Sequence, residues 1–100
     1  MKVMTFESLA STYIESSDDV LFQVLDEEVV LLDMKSGQYF GLNEIGALIW
    51  VMSKKGTSLG TILRDVLEKY EVSESELIGH VMPFLDDLES EGLITRVEKA

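Results

Sequence analysis

The chain has 100 residues, 46% of them hydrophobic, and its eight basic and nineteen acidic residues give a formal net charge of -11. This length suits one compact domain with a modest core, and the negative charge opposes binding to phosphate backbones and to anionic membrane surfaces. The chain has no cysteine, which excludes disulfides, thiol nucleophiles and thiolate metal sites.

The N-terminal segment MKVMTFESLASTY has neither the continuous apolar run of a signal peptide nor a sustained hydrophobic period. No stretch of the sequence approaches the eighteen or so apolar residues that a membrane span requires. We therefore expect a cytoplasmic protein without membrane contact. Residues 1–19 are predicted to be a partly ordered arm or a short extra strand, ahead of a single domain over residues 20–100.

Three strands are predicted between residues 20 and 42. The first alternates as a half-buried strand does, over VLFQVL. The second, VVLLD, is apolar on both faces, as in the central strand of a meander, and Gly37 supplies the positive φ of the reversal after it. The third strand, Gln38 to Leu42, is left on an open edge, where unpaired backbone groups can accept another chain.

Three helices are predicted to follow. Asn43 is a suitable N-cap for the first, and the second begins at Thr57 or Ser58. A capping box, SESE from Ser73, opens the third, and Gly92 ends it. The segment LITRV then predicts a short terminal strand. The fold class is therefore α+β, an N-terminal three-stranded antiparallel sheet with a three-helix bundle, similar to a winged helix-turn-helix.

The third helix carries a wider apolar arc than one core contact requires. One stripe at helical spacing is assigned to the core: Leu77, Val81, Phe84 and Leu88. A second stripe is turned toward a flank: Ile78, Met82 and Leu85. This second stripe either belongs to the core too or forms one wall of a groove beside the open strand. Asp86 and Glu89 lie near the same flank and can pair with basic residues of a guest peptide.

Two residues of the open strand, Tyr39 and Phe40, project to opposite faces of the sheet. One of them must point toward the helices while the other is left for solvent or a partner. The sequence does not decide which.

Candidate catalytic groups lack partners. His80 is the single histidine, so no second histidine or cysteine completes a familiar zinc shell. The acidic pairs are adjacent in sequence and diverge on a strand or helix, and the serines and glycines form neither a nucleophile elbow nor a phosphate loop. We predict a protein that is not an enzyme and has no cofactor and no metal.

Winged helix-turn-helix domains often bind DNA through the third helix, but here that helix is strongly acidic. Phosphate contacts would have the wrong sign, so no nucleic acid partner is expected. Two alternatives remain open from the residues alone. One is a winged-helix regulatory or protein-interaction domain, and the other is an edge-paired homodimer.

Two segments resemble a known family. The run LLDMKSGQYFGLNEIGALIW and the closing LDDLESEGLI are similar in order and spacing to the pyrroloquinoline-quinone synthesis protein D family, small peptide chaperones also called RiPP recognition elements. The resemblance extends from Val20 to Ile94. It implies a non-enzymatic protein that binds the leader segment of a ribosomally made precursor peptide and presents it to a modifying enzyme or leader peptidase, as in lasso peptide pathways.

The resemblance also implies where the leader binds. In such proteins the leader adds as a strand beside strand three and packs against helix three. The matching residues of strand three are Gln38, Tyr39, Phe40, Gly41 and Leu42. The matching residues of helix three are Ile78, Met82 and Leu85, with Asp86 and Glu89 on the same flank.

Overall fold

In the computed structural model, which describes residues 4–99, two small antiparallel sheets surround three helices. The strands are β1 (Thr12–Ser16), β2 (Val20–Leu25), β3 (Glu28–Asp33), β4 (Tyr39–Leu42) and β5 (Ile94–Glu98). The helices are α1 (Glu44–Lys54), α2 (Leu59–Lys69) and α3 (Glu74–Ser90), and a 3-10 turn at Glu7–Leu9 precedes β1. The predicted α+β class, with a three-stranded sheet and three helices, is confirmed.

The three-stranded sheet is the predicted meander, in the order β2-β3-β4. Its central strand is fully covered on the helix side, where Val29 and Leu31 are completely buried. Gly37 has a φ of +75°, as the reversal before β4 requires. The third strand is one residue shorter than predicted, although the carbonyl oxygen of Gln38 still accepts a hydrogen bond of 2.9 Å from the Asp33 amide.

All three helices begin at side-chain caps. Asn43 Oδ1 accepts a hydrogen bond from the Gly46 amide at 3.0 Å, and Ser73 Oγ accepts one from the Glu76 amide at 3.1 Å. Of the two candidates for α2, the cap is Ser58. These bonds satisfy amides that the first turn of a helix otherwise leaves unpaired, so the helix starts follow from local sequence.

The N-terminal segment is part of the fold rather than a loose arm over residues 4–16. Of the two predicted alternatives, the structure has the extra strand, because β1 pairs with β5 from Thr12↔Glu98 to Ser16↔Ile94. Phe6, Leu9 and Ile14 are buried in the core. We propose that residues 4–99 fold as one unit, and the division at residue 19 stays a prediction about independent folding.

The core lies where α1 packs between the two sheets and the other helices. Trp50 of α1 is 3% exposed and meets the Phe22 ring edge to face, with ring centroids 5.8 Å apart. Leu63 of α2 and Leu93 before β5 are completely buried in the same cluster. Within residues 4–99, the three helices are each too short or too polar to span a bilayer.

Candidate functional site

One edge of β4 is open. Within residues 4–99, β4 pairs only with β3, and β1 lies in the other sheet. The Gln38 carbonyl bonds to β3, and alternate residues of an antiparallel strand direct their backbone groups to opposite sides. Phe40 and Leu42 therefore bond to β3, whereas the N–H and C=O groups of Tyr39 and Gly41 face away from it. Two donors and two acceptors are free for an added strand.

The side chains of β4 divide between the two faces of the sheet. Phe40 is half-buried and Leu42 is 3% exposed, both on the face that meets the helices. Tyr39 is 71% exposed on the other face, and a methyl group added at Gly41 would meet no heavy atom within 4 Å. The alternative that the sequence left open is thereby decided: Phe40 points inward and Tyr39 points to solvent.

The part of α3 that meets the end of β4 is Phe84. A methyl group added at Gly46 would lie 3.0 Å from Phe84 Cζ and 3.3 Å from Leu42 Cβ, so β4, the first turn of α1 and α3 approach each other closely here. Leu88 of α3 borders a small internal cavity together with Leu42 and Phe84. We call the open side of β4 together with Phe84 the β4 groove.

A larger cavity of about 360 Å³ continues from the end of this groove. It is lined by Asn43, Ile45, Gly46, Ile49, Tyr70, Val72, Leu77, His80, Val81 and Phe84. Most of these side chains are apolar, and the polar groups come from few residues, which is typical of pockets that bind a side chain or small ligand. A chain lying along β4 would therefore meet an apolar pocket beyond Leu42.

The three residues of the predicted helix wall have different surroundings in the structure. Leu85 and Ile78 are 1% and 7% exposed and pack in the core, and their contact with a guest peptide stays a prediction. Met82 faces β5, where its Sδ lies 4.0 Å from an Arg96 guanidinium nitrogen. Successive helical residues turn by roughly 100°, so Met82 and Phe84 lie about 160° apart on α3.

The two predicted acidic residues also lie on the β5 side. Arg96 Nη2 is 2.5 Å from Asp86 Oδ1, and Arg96 Nε is 3.0 Å from Glu89 Oε2. Hydrogen bonding to Glu89, and more weakly to Asp86, raises the pKa of Arg96 although partial burial opposes this. These carboxylates have a partner within the chain, so pairing with a guest would have to compete with Arg96.

Sequence reasoning missed the residues on the opposite flank of α3. The helical spacing assigns Phe84 to the core stripe, and the sequence gives His80 no catalytic or metal-binding partner, yet both residues line the 360 Å³ cavity. Asp87 and Glu91 lie three and seven positions after Phe84, hence on the same flank, and both are exposed. The available signal was Gly46, because a glycine in the first turn of a helix often marks a close approach.

Two observations describe the remaining polar groups. Hydrogen bonding to Glu44 raises the pKa of Tyr70, so the phenol at the cavity wall stays protonated at neutral pH. Over residues 4–99, no three His, Asp or Glu side chains are grouped closely enough to hold a metal ion. The arrangement is an open strand edge beside a largely apolar pocket.

Comparisons with known proteins show the family of this chain. The family model of coenzyme PQQ synthesis protein D (PqqD) matches residues 28–94. A solved structure of TbiB1 in complex with the TbiA(beta) leader peptide is 31% identical, with a TM-score of 0.75 over 80% of this chain and 93% of that one. A lasso peptide synthetase B1 complexed with the leader peptide is 24% identical, with a TM-score of 0.74 over 82% of this chain and 96% of that one. Curated proteins gave no significant match. The chain belongs to the PqqD family.

Proposed function

We propose that this protein binds the leader segment of a ribosomally synthesised precursor peptide by strand addition to β4, and presents it to a modifying enzyme or leader peptidase. In this proposal the protein is a binding partner and not a catalyst. The relative TbiB1 supports the choice of ligand, because its structure was solved with a leader peptide. We expect the precursor to be converted into a lasso peptide or a related ribosomally made peptide product.

The observation that carries the proposal is the unpaired side of β4. Native proteins usually protect an open strand edge, because its free backbone groups pair readily with other chains. Here the outward groups of Tyr39 and Gly41 are left free, and the N-terminal segment is used elsewhere, in pairing with β5. Added strands are a common mode of peptide recognition.

Backbone pairing and an apolar anchor together account for useful affinity. Each backbone hydrogen bond contributes about 0.5 to 1.5 kcal/mol net, so the four outward groups alone would not hold a flexible peptide after its ordering cost. The 360 Å³ cavity beside Phe84 supplies space for one buried apolar side chain, which adds roughly 1.5 to 3 kcal/mol. Backbone bonds thus hold the peptide and the cavity selects among sequences.

The charge near the β4 groove indicates which leader residues lie beside the apolar anchor of the leader. Asp87 and Glu91 are exposed on the Phe84 flank, and within residues 4–99 neither has a cationic group within 4 Å. We therefore propose that basic leader residues lie beside Asp87 and Glu91 rather than beside Asp86 and Glu89. Such exposed pairs contribute at most about 1 kcal/mol each and act mainly on selectivity.

The direct test is a titration of the isotope-labelled protein with the leader peptide of a precursor encoded beside its gene. We expect the amide signals of residues 39–42 and of 80–91 to shift together, because these segments form the β4 groove. Binding that shifts only signals of β2 or β5, or no binding by that leader, would contradict the proposal.

A proline on β4 separates backbone pairing from side-chain contact. Gly41→Pro removes an outward N–H and places a ring on the open side, but it keeps the hydrogen bonds to β3, since proline is tolerated on edge strands where its nitrogen faces solvent. We expect roughly tenfold weaker leader binding or more, measured by calorimetry, with little change in stability.

Gly41→Ala is the matched control for this variant. It keeps the N–H, and its methyl group meets no heavy atom within 4 Å, so we expect binding within about threefold of the wild-type value. Equal losses in the two variants would show that crowding at residue 41, and not the backbone donor, controls the affinity.

A further inference from the structure

The opposite edge of the meander, β2, concentrates exposed apolar surface. Leu21, Phe22, Val24 and Leu25 are 53%, 42%, 52% and 48% exposed, and they project from both faces of the strand. Charged residues and prolines usually protect an edge strand from association. The strand VLFQVL has neither. The strand β2 has six residues, whereas β4 has four. A covering partner is therefore expected.

We propose that a second copy of this chain covers β2, through antiparallel pairing of the two β2 strands about a twofold axis at Gln23. Opposite residues in an antiparallel pair lie on the same face. Centring on Gln23 sets Phe22 opposite Val24 of the partner subunit on the inner face. It sets Leu21 opposite Leu25 of the partner subunit on the outer face. Apolar side chains meet apolar ones on both faces, so the strand is self-complementary, as an isologous interface requires.

The backbone supports the same register. The Met34 amide donates a hydrogen bond of 2.8 Å to the Asp19 carbonyl oxygen, so Asp19 directs its backbone toward β3. By alternation, Phe22 and Val24 direct their N–H and C=O groups away from β3. In the proposed register each Phe22 pairs with Val24 of the partner subunit, and both residues offer the free groups that such a pair exchanges.

A pocket lies beside the β2 edge. It has a volume of about 230 Å³ and lies between Val24 and the α1 residues Ala47, Leu48 and Val51. In the proposed register Phe22 of the partner subunit lies opposite Val24 on the inner face, beside this pocket, while each Phe22 ring keeps its edge-to-face contact with Trp50 of its own chain.

Charge distinguishes a second copy from a basic protein partner. The same register places Asp19 opposite Glu27 of the partner subunit, just beyond the paired residues. Lys35 Nζ lies 3.2 Å from Asp19 Oδ2 and offsets part of the repulsion. The net charge of -11 on each copy opposes association until salt screens it. Dimerisation should therefore strengthen with added salt, whereas binding of a basic partner would weaken.

Sedimentation equilibrium of the full chain, from about 1 µM to about 1 mM, tests the proposal. We expect the mass to rise from 11.2 kDa toward twice that value, and to do so at lower protein concentration as sodium chloride is added. Gln23→Lys places two like charges on the axis and should weaken dimerisation roughly tenfold or more. Gln38→Lys makes the same change beside the other edge and should leave dimerisation unaltered.

A single introduced cysteine gives a second test that does not depend on a loss of association. Because the chain has no cysteine, Gln23→Cys creates one thiol per copy, and residues on the axis of an antiparallel pair lie within the roughly 4.4 to 6.8 Å between Cα atoms that a disulfide spans. Mild oxidation should give a covalent dimer with Gln23→Cys and not with Tyr39→Cys.

Three results would overturn this proposal. They are a mass of 11.2 kDa at every concentration and salt level, a Gln23→Lys variant that associates as the wild type does, and association that weakens with salt. The proposal does not depend on leader binding, since β2 and β4 are opposite edges of one sheet. A dimer through β2 would leave both β4 grooves free.

Discussion

Phe84→Ala is expected to weaken leader-peptide binding about 30-fold, the effect of losing about 2 kcal/mol at an interface hot spot. Phe84 lines the 360 Å³ cavity and lies against the end of β4, so its removal widens the pocket that we propose for the apolar anchor of the leader. The affinity is measured by calorimetry at a temperature where the variant is folded, since a partly buried ring also contributes to stability.

Met82→Ala is the control, because Met82 is also partly buried on α3 but faces Arg96 on the other flank. We expect the affinity of this variant to stay within about twofold of the wild-type value. The pair decides between the two flanks of the helix. If Met82→Ala binds much more weakly than Phe84→Ala, the wall predicted from the sequence is the functional one, and the β4 groove as defined by Phe84 is wrong.

Gly60→Ala is expected to lower the free energy of unfolding by about 2 to 3 kcal/mol. Gly60 lies in the first turn of α2, where an added Cβ would overlap the carbonyl oxygen of Phe6 and lie 3.0 Å from the Ala10 amide nitrogen. Both neighbours are backbone atoms of the N-terminal segment, so relief requires that this segment move away from α2 and uncover Phe6 and Leu9. Urea denaturation followed by circular dichroism measures the change.

Gly79→Ala is the control, and we expect this substitution to raise the free energy of unfolding instead of lowering it. Gly79 is an exposed residue of α3, and an added Cβ there would meet no atom within 4 Å. Alanine is favoured over glycine in a helix by roughly 0.8 to 1 kcal/mol, so this variant should be slightly more stable. A Gly60→Ala variant as stable as the wild type would show that residues 6–10 are not packed against α2, and would favour an independent domain that begins at residue 20.

Signals that each span only a few residues were sufficient to predict the three helices and the three-stranded meander. The cap at Asn43, the capping box at Ser73 and the positive φ at Gly37 each act through bonds or steric limits inside one turn. The apolar centre of β3 and the polar turns beside it likewise gave the order of the meander. The resemblance to the PqqD family rested on the same stretches, and the family match over residues 28–94 confirmed it.

Only the tertiary structure decided which surfaces meet. The pairing of β1 with β5 joins residues more than 70 positions apart, and nothing local to Thr12–Ser16 specifies that partner. Likewise, helical periodicity placed Met82 and Phe84 on different flanks of α3, but the flank that faces β4 depends on how α3 crosses α1 and β5. Sequence pattern determines where a side chain lies on its own helix or strand. The neighbour that covers it is decided by the packing of the whole chain.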